Sequence, residues 1–203
     1  LSADGTVLVI GANSKAHIFQ RDEAHAGVWE ERTVLQEEGA ESLDHGFGSS
    51  VAISDDGLTF IAGAPESDIP GDAQGQVLVY TLDTVNNVWN QVAVLDGEAE
   101  RDEFCEFVDM SADGSFVVVG SIGNAGGGTN LNGSVGHVRS FRAEGGTYVP
   151  VGPDVDGVGT ISQEFFGSSV VLSNDGAVMA AGAPRFNRAG SQSGEVRIFN
   201  LTT

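Results

Sequence analysis

Cationic charge, cysteine and long apolar runs are all scarce in this sequence, and each shortage excludes a class of function. Nine Lys and Arg stand against 29 Asp and Glu in 203 residues, a formal net charge of −20. Such a field repels nucleic acid and anionic lipid surfaces, so neither is expected as a partner. No apolar run approaches the ~18 residues of a membrane helix, so no membrane insertion is expected in this segment. A single cysteine, Cys105, rules out an internal disulfide framework. The four histidines, His17, His25, His45 and His137, are dispersed without metal-ligand spacing. Phosphate loops, nucleophile elbows and cofactor fingerprints are absent. There is no signal-peptide pattern, but Leu1 is not preceded by Met, so that absence is uninformative.

What the chain does contain is repetition. A Ser-x-Asp-Gly element recurs at Ser2, Ser54, Ser111 and Ser173, at intervals of 52, 57 and 62 residues. Phe47, Phe104 and Phe166 each stand seven residues before such a serine, and Gly11, Gly63, Gly120 and Gly182 each follow the turn glycine by six. A third strand-like run follows in every copy (AHIF, QVLVY, GHVRSF, EVRIF), and a fourth starts near Trp29, Trp89 or Tyr148. Runs bounded by Gly, Asn, Asp and Pro read as strands. A four-stranded antiparallel unit of this length is a propeller blade, which must stack on neighbours to bury both faces. The expected fold is therefore all-β, a single β-propeller region over 1–203. Its repeats run approximately 1–46, 47–103, 104–165 and 166–203, about three and a half blades. The fourteen strands expected leave both termini in mid-blade. That pattern implies either part of a larger propeller or open edges that pair with further copies of the chain.

Phe47-Gly48 with Gly63-Ala64-Pro65, and Phe166-Gly167 with Gly182-Ala183-Pro184, resemble the FG-GAP repeat of integrin α-type β-propellers. The third copy departs from it at Cys105 and Ser121. The physical sense of the motif is packing: Gly and Ala permit close backbone approach, proline stops strand pairing, and Phe47, Phe104 and Phe166 act as wedges. The resemblance implies an extracellular or cell-surface, adhesion-type protein and does not by itself imply a ligand.

Integrin-type repeats often carry a D-x-D-x-D-G calcium loop. Calcium takes about six to eight oxygens, and Ser-x-Asp-Gly offers one or two carboxylates in too short a loop. Asp-Gly between two apolar runs signals a hairpin instead, so this is the calcium-free variety of the repeat and no cofactor is expected. The one oxygen-rich alternative for a metal is Glu66, Asp68 and Asp72.

The loops after Gly-Ala-Pro and before Phe-Gly emerge on one face and vary most between copies, as binding loops do. Among them, Arg185, Phe186 and Arg188 either contact an acidic partner or neutralise nearby carboxylates with Phe186 folded inward. Asn132 and Asn200 head N-x-S/T sequons, candidate glycosylation sites that agree with secretion. Cys105 reads as a small buried hydrophobe. The function expected is a non-enzymatic module for adhesion to a protein or glycan partner, or for structural assembly, a filament subunit included. The alternative is the propeller of a secreted hydrolase whose carboxylates converge from several blades. Such an enzyme needs two carboxylates about 5–10 Å apart in one pocket, with one pKa raised.

Overall fold

In each Ser-x-Asp-Gly element the serine hydroxyl donates to the aspartate two residues on: Ser2–Asp4 at 2.7 Å, Ser54–Asp56 at 2.6 Å, Ser111–Asp113 at 2.7 Å and Ser173–Asp175 at 2.6 Å. The glycine that closes each turn has φ between 68° and 71° (Gly5, Gly57, Gly114, Gly176), the left-handed region where a Cβ is costly. These carboxylates are committed to their own turns, so the acidic tetrad at 54–57 is a hairpin bend. The turns are also stitched together across the fold. Ala3 N–H donates to Asp55 O, Asp55 N–H to Ala112 O, and Ala112 N–H to Asn174 O, at 2.7–2.9 Å.

A computed structural model of the chain describes residues 1–22, 24–25, 27–37, 45–68, 73–100, 102–123, 135–158, 164–186 and 192–201. Among these the turns join strands into four antiparallel sheets. The first holds β1 (Val7–Ala12), β2 (Lys15–Arg21) and β3 (Trp29–Leu35); the second holds β4 (Val51–Ile53), β5 (Thr59–Ala64), β6 (Gln76–Asp83) and β7 (Val88–Asp96). The third holds β8 (Phe104–Met110), β9 (Phe116–Ser121), β10 (His137–Glu144), β11 (Thr147–Pro150) and β12 (Val155–Asp156). The fourth holds β13 (Ser169–Leu172), β14 (Val178–Ala183) and β15 (Glu195–Asn200). The described residues contain no helix, and the fifteen strands exceed the fourteen expected by one. The extra strand arises where Gly152 (φ 70°) and Pro153, which has no N–H to donate, divide the last strand of the third sheet into β11 and β12; both pair with β10.

The core lies between sheets. Val9, Ala16 and Ile18 of the first sheet meet Phe47, Phe60, Leu78 and Tyr80. Ile61, Val77 and Val79 of the second meet Phe104, Val108 and Val117, and Val118 and Val138 of the third meet Phe166, Val170 and Met179. Phe47, Phe104 and Phe166 are at most 2% exposed and belong to these clusters between sheets. The glycines explain the rest of the motif. A Cβ on Gly11 would stand 1.6 Å from Gly48 O, on Gly63 2.5 Å from Cys105 O, and on Gly120 2.0 Å from Gly167 O.

The turns carry a pH dependence. Asp4 is held below the usual 3.8 mainly by the Ser2 hydroxyl, Asp113 by Ser115 and Ser111, and Asp175 by Ser173. A carboxyl whose folded pKa is depressed stabilises the fold above its unfolded value. That contribution is lost as pH falls through the folded value. Thermal melts from about pH 5 to about pH 2 are expected to show a steady loss of stability, shallower in an Asp113→Asn, Asp175→Asn double variant. Equal slopes in the two proteins would remove the turns as its source.

Candidate active site

The connection between β1 and β2 is the shortest of its kind. Asn13 and Ser14 have φ of 53° and 56°, and Ala12 and Lys15 close the turn as a register pair. Two consecutive positive φ values are the mark of a type I′ hairpin, and Asn accepts them readily. In the second sheet the equivalent connection runs from Pro65 to Gly75. Beside the Asn13–Ser14 turn lies a cavity of about 170 Å³, lined by Asn13, Ser14, Lys15, Gln36, Glu37, His45 and Phe47.

Two of its wall residues form a buried dyad. His45 Nδ1 lies 3.0 Å from Glu37 Oε2, and the residues are 6% and 3% exposed. The Ser67 hydroxyl donates to the other Glu37 oxygen at 2.8 Å, fixing the carboxylate from the neighbouring sheet. A carboxylate only accepts, so Nδ1 carries a proton in this contact, and in the neutral imidazole the lone pair is then on Nε2. His45 Nε2 is buried and has no hydrogen-bond partner among the described residues. Lys15, an exposed residue at the start of β2 and one of nine basic residues in the chain, also lines the cavity. An imidazole oriented by a carboxylate, a lysine and a cavity side by side are the parts that water-assisted attack on a carbonyl uses, with His45 Nε2 shielded from solvent in this structure.

The polar network continues onto the third sheet. Gln76 Oε1 lies 3.2 Å from Ser67 Oγ, and Gln76 Nε2 donates to Asp96 Oδ1 at 2.6 Å. Arg139 Nη1 then donates to Asp96 O at 3.0 Å, and Arg139 Nε pairs with Asp154 at 3.2 Å. The guanidinium also lies over the rings of Phe104 and Phe141. Beside it, burial and a hydrogen bond to Asp154 push the Glu98 carboxyl up, and burial pushes the His137 imidazole down. Carboxylates from two sheets thus converge here with one of them raised, as the hydrolase alternative requires. Arg139 engages both, with its guanidinium 3.8 Å from Glu98 and 3.2 Å from Asp154, so this cluster clamps the second sheet to the third.

The other residues singled out in the sequence fall elsewhere. Asp68 Oδ1 accepts from its own loop, at Ala73 N–H, and among the described residues no group of three His, Cys, Asp or Glu is arranged to hold a metal ion. Asp72, Asn132 and Arg188 lie outside the described residues. The Arg185 guanidinium sits 4.7 Å from the centre of the Phe165 ring, and Phe186 packs against the core of the third and fourth sheets. Asn200 is an exposed terminal residue of β15. Cys105 is fully buried at φ 81°, its Sγ donating to Gln76 O, and burial pushes its thiol well up. It is expected to resist a thiol reagent in the native protein and to react fully on denaturation; rapid native labelling would contradict that burial.

Sequence reasoning missed the dyad, although a signal was present. His45, Asp102 and Glu164 each stand two residues before a wedge phenylalanine, and all three are buried. A titratable residue at the same repeat position in three successive copies, beside a known core residue, marks a buried polar row.

No protein-family model and no curated relative matches the sequence. Among solved structures, the periplasmic gluconolactonase of Pseudomonas aeruginosa matches with a TM-score of 0.58 at 17% identity, covering 96% of this chain. The chain spans 49% of that protein's length. At this identity the likeness shows the fold, a β-propeller. It overturns two expectations, the integrin-type FG-GAP identity and the non-enzymatic adhesion or structural role, since the neighbour that shares the fold is an enzyme. The physical reason lies in Gly11, Gly63 and Gly120: the Phe-Gly and Gly-Ala-Pro elements are the means by which adjacent sheets approach, so they report sheet stacking rather than adhesive ancestry.

Proposed function

We propose that the protein is an extracytoplasmic hydrolase of carboxylic esters of the lactone type, with His45 as general base, and that its four sheets are successive blades of a propeller. The observation that carries this reading is the buried Glu37–His45 dyad on the wall of the cavity beside the Asn13–Ser14 turn. The periplasmic location and lactonase name of the structural neighbour agree with it.

The chemistry follows from the donors present. His45 Nε2 removes a proton from water as its oxygen adds to the lactone carbonyl. Glu37 holds the resulting imidazolium through Nδ1–H. The negative charge that develops on the carbonyl oxygen is opposed by the Lys15 ammonium. Collapse breaks the ring C–O bond, and the imidazolium returns its proton to the departing alkoxide. The net change is addition of one water to give a hydroxy acid.

The experiment is a pH-stat assay on a sugar δ-lactone, an aliphatic δ-lactone and an aryl ester, with an aryl glycoside for comparison. Acid release from the lactones above the spontaneous rate, with the glycoside untouched, is the expected result. Cleavage of the glycoside alone, or no hydrolysis of any compound, would overturn the reading.

A further inference from the structure

The dyad cavity has a neighbour. A second depression of about 360 Å³ shares Asn13, Ser14 and Phe47 with it and continues along Gly46, Gly48 and Ser49. Each cavity accommodates several water volumes of about 30 Å³, so the pair is large for a single small ring. Their chemistries differ. The first contains Lys15, Glu37 and His45; the second is lined by no charged side chain.

Nor is the second wall suited to a hydrocarbon. Phe47 is 2% exposed, its ring turned into the core against Tyr80, and offers little apolar surface. Gly46 and Gly48, at φ of 70° and 83°, bring peptide groups to the wall, although Gly48 N–H already donates to Gly63 O and Gly46 O accepts from Ser49 N–H, and the exposed Ala12 adds one methyl. Asn13, Ser14 and the exposed Ser49 add hydroxyl and amide groups. Neutral donors and acceptors along a shallow open surface suit a polyhydroxylated group, whose hydroxyls give and accept hydrogen bonds without needing a counter-charge.

Resting on the hydrolase reading, we infer that the cleft is bipartite: the reacting lactone seats at His45, and an uncharged glycosyl or polyol extension of the same substrate lies along Gly46–Ser49. The substrate class is then a lactone of a glycosylated sugar acid rather than a monosaccharide or alkyl lactone.

Three probes separate the possibilities: δ-gluconolactone, its 4-O-glucosyl derivative and an alkyl δ-lactone. The glucosyl lactone is expected to be hydrolysed with kcat/KM about tenfold above gluconolactone, and the alkyl lactone below both. Ser49→Trp, which fills the second cavity, is expected to bring the glucosyl preference ratio close to unity. Comparable kcat/KM for all three, an alkyl preference, or a ratio unmoved by Ser49→Trp would overturn the bipartite cleft while leaving the hydrolase intact. If no lactone is hydrolysed, the hydrolase reading fails. Calorimetric titration with gluconate and its 4-O-glucosyl derivative still decides the subsite: about tenfold tighter binding of the glucosyl acid supports it, and equal binding overturns it.

Discussion

Gly120→Ala is expected to cost about 4 kcal/mol or more, and Gly182→Ala, at the same position of the repeat, less than about 1 kcal/mol. A Cβ on Gly120 would stand 2.0 Å from Gly167 O and 2.9 Å from Gly167 C, both backbone atoms that no rotamer change can move aside. The backbones of the third and fourth sheets must separate to admit it. That separation opens the cluster in which Val118 and Val138 meet Phe166 and Met179. On Gly182 the nearest atom to a new Cβ is Ser169 Cβ at 3.6 Å, an ordinary contact, and loss of glycine's unfolded-state freedom partly offsets any cost. In thermal melts a chain of this size is expected to shift by roughly 2–4 °C per kcal/mol, so the two variants should differ by about 10 °C. Similar midpoints would mean that the close approach of the sheets is not what the motif glycines secure.

His45→Ala carries the largest expected effect on activity, a fall in kcat of about 10²–10⁴, the usual contribution of a positioned general base. Glu37→Gln tests the second half of the dyad. An amide at this position can donate as well as accept, so the proton is no longer dictated to Nδ1, and a loss of at least about tenfold is expected with His45 intact. The Ser67 hydroxyl can still reach an amide oxygen there, which favours a folded variant. Both variants need melts alongside the rates, because removing His45 leaves the buried Glu37 carboxylate with one fewer partner. A loss confined to KM would move His45 from catalysis to substrate binding.

The fold was legible because its signals are local and repeated. Each Ser-x-Asp-Gly bend fixes a hairpin within a few residues. The recurring phenylalanines Phe47, Phe104 and Phe166 sit in the same environment three times, so each copy confirmed the others. The division of β11 from β12 was less visible, since Gly152-Pro153 interrupts one copy only. The dyad depends on contacts the periodicity does not encode. Glu37 and His45 are eight residues apart in the chain, and Ser67, which donates to Glu37, lies thirty residues from it in the connection after β5. Recognition of the motif itself went astray for a physical reason. Sheets that approach until Gly11 meets Gly48 O need glycine whatever the molecule's activity, so these letters report packing and do not by themselves report a function.

Chemical rescue tests the role of His45 as base most directly, through the initial rate of lactone hydrolysis by the His45→Ala variant as imidazole is added. The expected result is a rate near background without imidazole that rises in proportion to the free base, since the vacated side chain enlarges a cavity already present beside Lys15 and Asn13. A variant that hydrolyses lactone at the wild-type rate without imidazole, or a low rate that imidazole leaves unchanged, would contradict it.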